Sequence, residues 1–222
     1  PLIDEDGNCT WPGKFPNEEA IEKEKQRIGN AVAWQREFLL RIVTDQDRVI
    51  HPEWIKHYDE LPENQIAEYR FRATGIDLAI SQRTHADFTA MVSCQVNGYG
   101  EDCKIHIFPH PVNARLAYLE TLDQAKQLAE SLKKDGCRSR LYVEDVSYQG
   151  ALVESLSKDG YTTEGVKIGR VDKKSRLALV SHLVQNGTVL FPKKGCERLI
   201  QQLTGFGMEK HDDLADAFSI LM

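Results

Sequence analysis

Residues 73–80 read Ala-Thr-Gly-Ile-Asp-Leu-Ala-Ile, an apolar run broken once, by Asp77. The surrounding stretch 71–80 is rich in β-formers and is predicted to be a strand. An ionised carboxylate on a buried strand must be paired, neutralised or bound to a metal. Outward from it, 88–96 forms a second strand. Asn97-Gly98-Tyr99-Gly100 turns the chain, and 104–108 alternates as a third. A helix follows over 116–134, with Leu119, Leu122, Ala125, Leu128, Ala129 and Leu132 on one face and Asp135-Gly136 as its stop. Strands at 140–146 and 162–168 then alternate with helices at 150–158 and 173–185, and helices at 196–204 and 211–222 close the chain. A three-strand meander feeding crossovers requires a mixed sheet with helices on its faces. The expectation is an α/β fold with an antiparallel edge and a parallel centre.

The 69 residues before this pattern read differently. Asp6-Gly7 and Pro12-Gly13 mark turns, 17–28 is a charged helical stretch, and Ala31, Trp34, Phe38 and Leu39 recur at helical spacing. A boundary is expected near residue 66, giving a segment 1–68 and a domain 69–222. Gly7 to Lys14 looks like a phosphate-binding loop, but five residues separate its glycines and Phe15 follows the lysine, so no ATPase site is expected.

The chain has 222 residues, with 28 Lys and Arg against 34 Asp and Glu, a formal net charge of −6, and 41% apolar residues. This composition excludes collagenous, low-complexity and disordered classes, and the longest apolar run is too short to span a bilayer. Five scattered cysteines (Cys9, Cys94, Cys103, Cys137, Cys196) without a Cys-x-x-Cys offer neither a zinc ribbon nor a redox motif, and read as reduced thiols. The first residues lack a signal peptide and an initiator Met, which suggests a piece of a longer chain or a processed product. His106 and His110 flank Pro109, which breaks the helix that a metal pair at this spacing requires, so core or surface histidines are expected.

The other costly acids are Glu144, at the end of the apolar run Leu141-Tyr142-Val143, and Asp212, Asp213 and Asp216 in the first turns of the last helix. A helix dipole alone favours Asp212 there. Carboxylates that meet without Arg partners favour a hard divalent cation such as Mg²⁺. If the first and fourth strands are adjacent and parallel, Asp77 and Glu144 emerge side by side, and the last helix brings Asp213 to them.

These segments together, T-G-I-D-L-A-I-S (74–81) with H-A-D-F-T-A (85–90), L-Y-V-E-D-V-S-Y-Q-G-A-L (141–152) and K-H-D-D-L-A-D-A-F (210–218), resemble the nuclease domain of the large terminase subunit of tailed bacteriophages. D-G-N-C-T-W-P-G-K-F (6–15) and H-P-E-W-I-K-H-Y-D (51–59) resemble the segment joining the terminase ATPase to that nuclease. The resemblance covers about 69–222 and implies an RNase H-like, resolvase-type fold. It makes Asp77, Glu144 and Asp213 the catalytic metal triad, with Asp87, Asp212 and Asp216 as further metal acids and His211 beside them. It implies two divalent cations, Mg²⁺ or Mn²⁺, roughly 3.5–4 Å apart, hydrolysing phosphodiesters of concatemeric double-stranded DNA. It also implies the host cytoplasm, no membrane, and as partners of the full-length protein an N-terminal ATPase domain, a small terminase subunit and a portal.

DNA must be held by cations outside the acidic cleft. Lys167, Arg170, Lys173, Lys174, Arg176 and Lys210 are the candidates for a sequence-independent phosphate track. The alternatives are a Holliday-junction resolvase or transposase-like nuclease of the same fold, and an inactive DNA- or portal-binding module. The six proposed metal acids equal the whole negative excess, so net charge excludes neither DNA nor catalysis.

Overall fold

The structure is a computed structural model that describes residues 1–4, 7–29, 31–40, 48–62, 69–78, 88–133, 139–144, 150–167, 169, 171–207 and 212–222. Helices α1 (Glu18–Ile28) and α2 (Ala31–Glu37) come first, then strands β1 (His57–Tyr58), β2 (Tyr69–Asp77), β3 (Thr89–Asn97), β4 (Lys104–Ile107) and β5 (Val112–Ala114). Helix α3 (Tyr118–Ser131), β6 (Arg140–Glu144), α4 (Gly150–Lys158), β7 (Thr162–Val166), α5 (Lys173–Gln185), β8 (Val189–Pro192), α6 (Glu197–Thr204) and α7 (Asp213–Leu221) complete it.

The strands form one mixed sheet in the order β1-β8-β4-β3-β2-β6-β7, with β5 pairing the start of β3. β3 runs antiparallel to β2 and β4, whereas β2–β6, β6–β7, β4–β8 and β1–β8 are parallel. The antiparallel trio thus lies inside the sheet and not at its edge. The correction comes from β8, a four-residue run closed by Pro192, which adds to β4 and carries β1 outside it. β3 is buried along its whole length, as a strand covered on both faces must be.

Alternating residues feed two cores. On one face Ala73, Ala90, Val92 and Cys94 pack under α5, α6 and α7 through Leu177, Leu199, Leu203, Leu214 and Phe218. On the other, Ile76, Met91, Leu141 and Val143 meet Ala125 and Ala129 of α3 and Leu152 and Leu156 of α4. The first core reaches across the boundary expected at 68/69, because Ile50 is fully buried in it and β1 pairs β8. A third, separate cluster joins Leu2, Phe15 and Trp34, with the Trp34 and Phe38 rings stacked 4.5 Å apart. Phe15, the residue that disqualifies the apparent phosphate loop, is core of this cluster.

Gly75 decides how close α7 can come. A Cβ there would lie 2.3 Å from the carbonyl oxygen of Ala217 and 2.8 Å from the Cβ of Leu221. Lacking one, β2 lets the helix lie directly against the sheet. The backbone N–H of Leu214, in the first turn of α7, donates to Gln202 Oε1 at 2.8 Å, which satisfies a buried helix-start donor.

Candidate active site

β2 and β6 run parallel in a register that pairs Ile76 with Val143, and each strand ends one residue later, at Asp77 and Glu144. Two carboxylates therefore leave the sheet side by side at its carboxyl end. Both share the face of Ala73 and Gly75, which α7 covers. Closed down on Gly75, α7 brings its first turns to the same place, where Asp213 and Asp216 are both buried, 8% and 3% exposed.

Helix α5 supplies the opposite charge. Asp172 caps it, accepting from the backbone N–H of Ser175 at 3.0 Å and from its hydroxyl at 2.6 Å. The first turn then presents Lys173 and Arg176, three apart and on one face. Arg176 Nη1 lies 3.3 Å from Glu144 Oε1, and Nη2 lies 3.1 Å from Asp216 Oδ1. Lys173 Nζ lies 2.9 Å from Asp212 Oδ1 and 2.5 Å from Asp216 Oδ2.

The electrostatics are strained. Asp77 is pushed up to about 9, first by burial, then by the charges of Asp216 and Glu144 and by a hydrogen bond with Glu144; Lys173 pulls it down. Asp216 is also raised by burial, against the pull of Lys173 and Arg176. Desolvation lowers the Lys173 ammonium, but its bonds to Asp216 and Asp212 outweigh that and the net shift is upward.

Among the described residues, Asp77, Glu144, Asp212 and Asp216 thus face two cations, Lys173 and Arg176. A divalent ion would supply the missing positive charge, and the donors are all hard carboxylate oxygens, the set that Mg²⁺ and Mn²⁺ prefer. The residues fit such an ion. Among the described residues, no group of three His, Cys, Asp or Glu side chains is gathered as a ready-made ion cage. Arg176 bridges Glu144 and Asp216, and Lys173 bridges Asp212 and Asp216.

The structure brings together Asp77, Glu144, Asp212 and Asp216, with Asp213 buried in the same helix turn as Asp212. Asp87, Arg170, Lys210 and His211 lie outside the described residues. Of the expected phosphate track, Lys167 and Lys174 are exposed, whereas Lys173 and Arg176 are turned onto the acids. This corrects the expectation that the carboxylates meet without Arg partners, since Arg176 pairs with both Glu144 and Asp216. A cap at Asp172 followed by basic residues three apart was the available signal. His106 is buried, its ring edge-on to Tyr58 at 5.2 Å, and burial lowers its pKa; His110 is exposed. A cavity of about 550 Å³ lined by Gln26, His57, Lys193 and Gln201 contains none of the acids. Among the described residues, no helix is long and apolar enough to cross a membrane.

No family model and no curated protein matches the sequence. Solved structures do match the fold. The large terminase nuclease of thermophilic phage G20c, with bound magnesium, superposes with a TM-score of 0.54 at 13% identity, covering 80% of this chain and 97% of that one. A large terminase nuclease domain from a Thermus phage gives 0.51 at 12% identity, over 76% and 90%. The human cytomegalovirus terminase nuclease domain, manganese-soaked and inhibitor-bound, gives 0.50 at 16% identity, over 80% and 92%. At such identities the likeness is one of fold, and the chain has the RNase H-like fold of the large terminase nuclease domains.

Proposed function

We propose that the chain is a divalent-metal-dependent endonuclease of the terminase type, hydrolysing the phosphodiester bonds of concatemeric double-stranded DNA. One observation carries the reading. Asp77 and Glu144 end neighbouring parallel strands, α7 adds Asp216, and the crowding is severe enough to push Asp77 to about 9. A carboxylate perturbed by burial and by specific charged neighbours is a candidate functional group.

Asp77, Glu144 and Asp213 are the proposed catalytic triad, with Asp216 and Asp212 completing the donor set and Asp87 as a further acid. When bound, two Mg²⁺ or Mn²⁺ ions would supply a hydroxide at neutral pH and positive charge opposite the leaving oxygen. Burial and the neighbouring Asp216 and Glu144 charges favour the protonated form of Asp77 in the bare chain, and a bound cation would favour the ionised form. Arg176 orients the Glu144 and Asp216 carboxylates toward one another. Lys167 and Lys174, exposed beside the cleft, take backbone phosphates without reading sequence. In the complete protein this domain would work with an ATPase domain, a small terminase subunit and a portal, in the cytoplasm of an infected bacterium.

The test is cleavage of supercoiled plasmid with Mg²⁺ or Mn²⁺ and with chelator. Metal-dependent nicking that Asp77→Asn reduces to background is expected. Full cleavage by that variant would falsify the reading. A strong preference for four-way junctions over linear duplex would move the assignment to a resolvase.

A further inference from the structure

We infer that the Lys173 ammonium is a built-in counter-ion, bridging Asp212 and Asp216 in a place a divalent cation takes, so that metal loading requires the ammonium to leave. The inference deepens the nuclease reading and rests on it.

Three observations carry it. Lys173 Nζ touches one oxygen from each carboxylate, 2.9 Å from Asp212 and 2.5 Å from Asp216. The two acids stand four apart at the start of one helix, where like charges repel and a cation between them relieves the repulsion. The contact is also built: the Asp172 cap sets the first turn of α5, so Lys173 approaches from a separate helix.

The two cations of α5 differ in freedom. The Arg176 side chain is 13% exposed and forked onto Glu144 and Asp216, whereas that of Lys173 is 52% exposed. A compact ammonium on a flexible, half-solvated stem can swing away; a buried guanidinium fork cannot do so without leaving charges unpaired. Lys173 is therefore the exchangeable charge and Arg176 the fixed one. An ion bound between the acids and an ammonium bound between the same acids exclude each other, so removing the ammonium strengthens metal binding. A purely structural lysine would act in the opposite direction, because its loss would loosen the acids.

The experiment is calorimetric titration of the whole chain with Mn²⁺ alone, comparing wild type, Lys173→Met, Lys173→Gln and Lys173→Arg. Both neutral variants are expected to bind Mn²⁺ roughly three- to tenfold tighter, the range set by a half-exposed unit charge at contact distance. Lys173→Arg keeps the charge and should stay near wild type. In melting curves the neutral variants should be less stable than wild type in chelator, and the gap should close in saturating Mn²⁺. The two neutral variants guard against one packing badly. Unchanged or weaker Mn²⁺ binding in both, with wild type still binding the ion, overturns the inference and leaves the nuclease reading standing. Absence of Mn²⁺ binding in every variant, wild type included, overturns both.

Discussion

Arg176 joins Glu144 to Asp216, at 3.3 Å and 3.1 Å, and so ties the end of β6 to the first turns of α7 through a guanidinium on α5. Three elements distant in sequence meet at one charged group that cannot be deprotonated. The carboxylates it joins are largely buried, with side-chain exposures of 16% and 4%. Removing the guanidinium would leave both underpaired.

Arg176→Met should therefore destabilise the metal-free chain by about 3 kcal/mol, the scale of breaking a buried ion pair from one side. Urea unfolding in chelator measures it. A loss below about 1 kcal/mol would mean that the pair behaves as a surface contact.

Gly75→Ala should cost about 2–3 kcal/mol through overpacking, since the new methyl would meet the Ala217 carbonyl. It should also weaken Mn²⁺ binding, because α7 must lift and take Asp216 with it. Thermal melting and calorimetry test the two effects separately; wild-type values in both would show that β2 and α7 do not set the spacing of the acids.

Stability of the metal-free chain should fall as pH rises. Asp77 titrates at about 9 when folded, against about 4 in an unfolded chain, so between these values the folded state holds the extra proton. Its contribution is complete below the lower value and is lost as pH climbs through the upper one. Asp77→Asn should flatten the slope, and saturating Mg²⁺ should reverse it by binding the deprotonated acids. Denaturation midpoints at pH 5, 7 and 9 decide the matter.

Lys167→Glu with Lys174→Glu should weaken DNA binding uniformly across sequences and lower the salt slope by about two. Filter binding from low to moderate salt reads both quantities. An unchanged slope would remove these lysines from the DNA path.

Trp34→Ala should loosen the Leu2–Phe15–Trp34 cluster while leaving plasmid cleavage intact, since that cluster is separate from the core under α7. Limited proteolysis would then cut within the first 40 residues. Parallel loss of cleavage would show that the cluster supports the site.

Asp77 and Glu144 are legible in the sequence because each breaks an apolar run, and a carboxylate in such a place has to be explained. Their adjacency follows from a crossover that makes β2 and β6 parallel neighbours. β8 and β1 escape notice for a local reason: four residues closed by a proline, and two residues, carry too little alternation to register. The sequence shows Lys173 and Arg176 as basic residues but not which way they turn. That depends on where α5 docks against α7, a tertiary fact, so a phosphate track and a pair of counter-ions look alike in one dimension. The choice among Asp212, Asp213 and Asp216 is hidden similarly, since spacings of three and four both lie on one side of a helix.

Ile76 and Asp77 point to opposite faces of the same strand, one fully enclosed beside Leu141 and Leu152, the other among the acids. A slip of β2 by one residue would exchange them, sending a carboxylate into hydrocarbon and an isoleucine to the acids. Both errors are expensive, so the position of Asp77 along the strand is locked by its neighbour's greasy side chain. Inserting or deleting a single residue in 71–77 would abolish the site outright instead of adjusting it, and variation that tunes this protein has to enter through the loops and through α5.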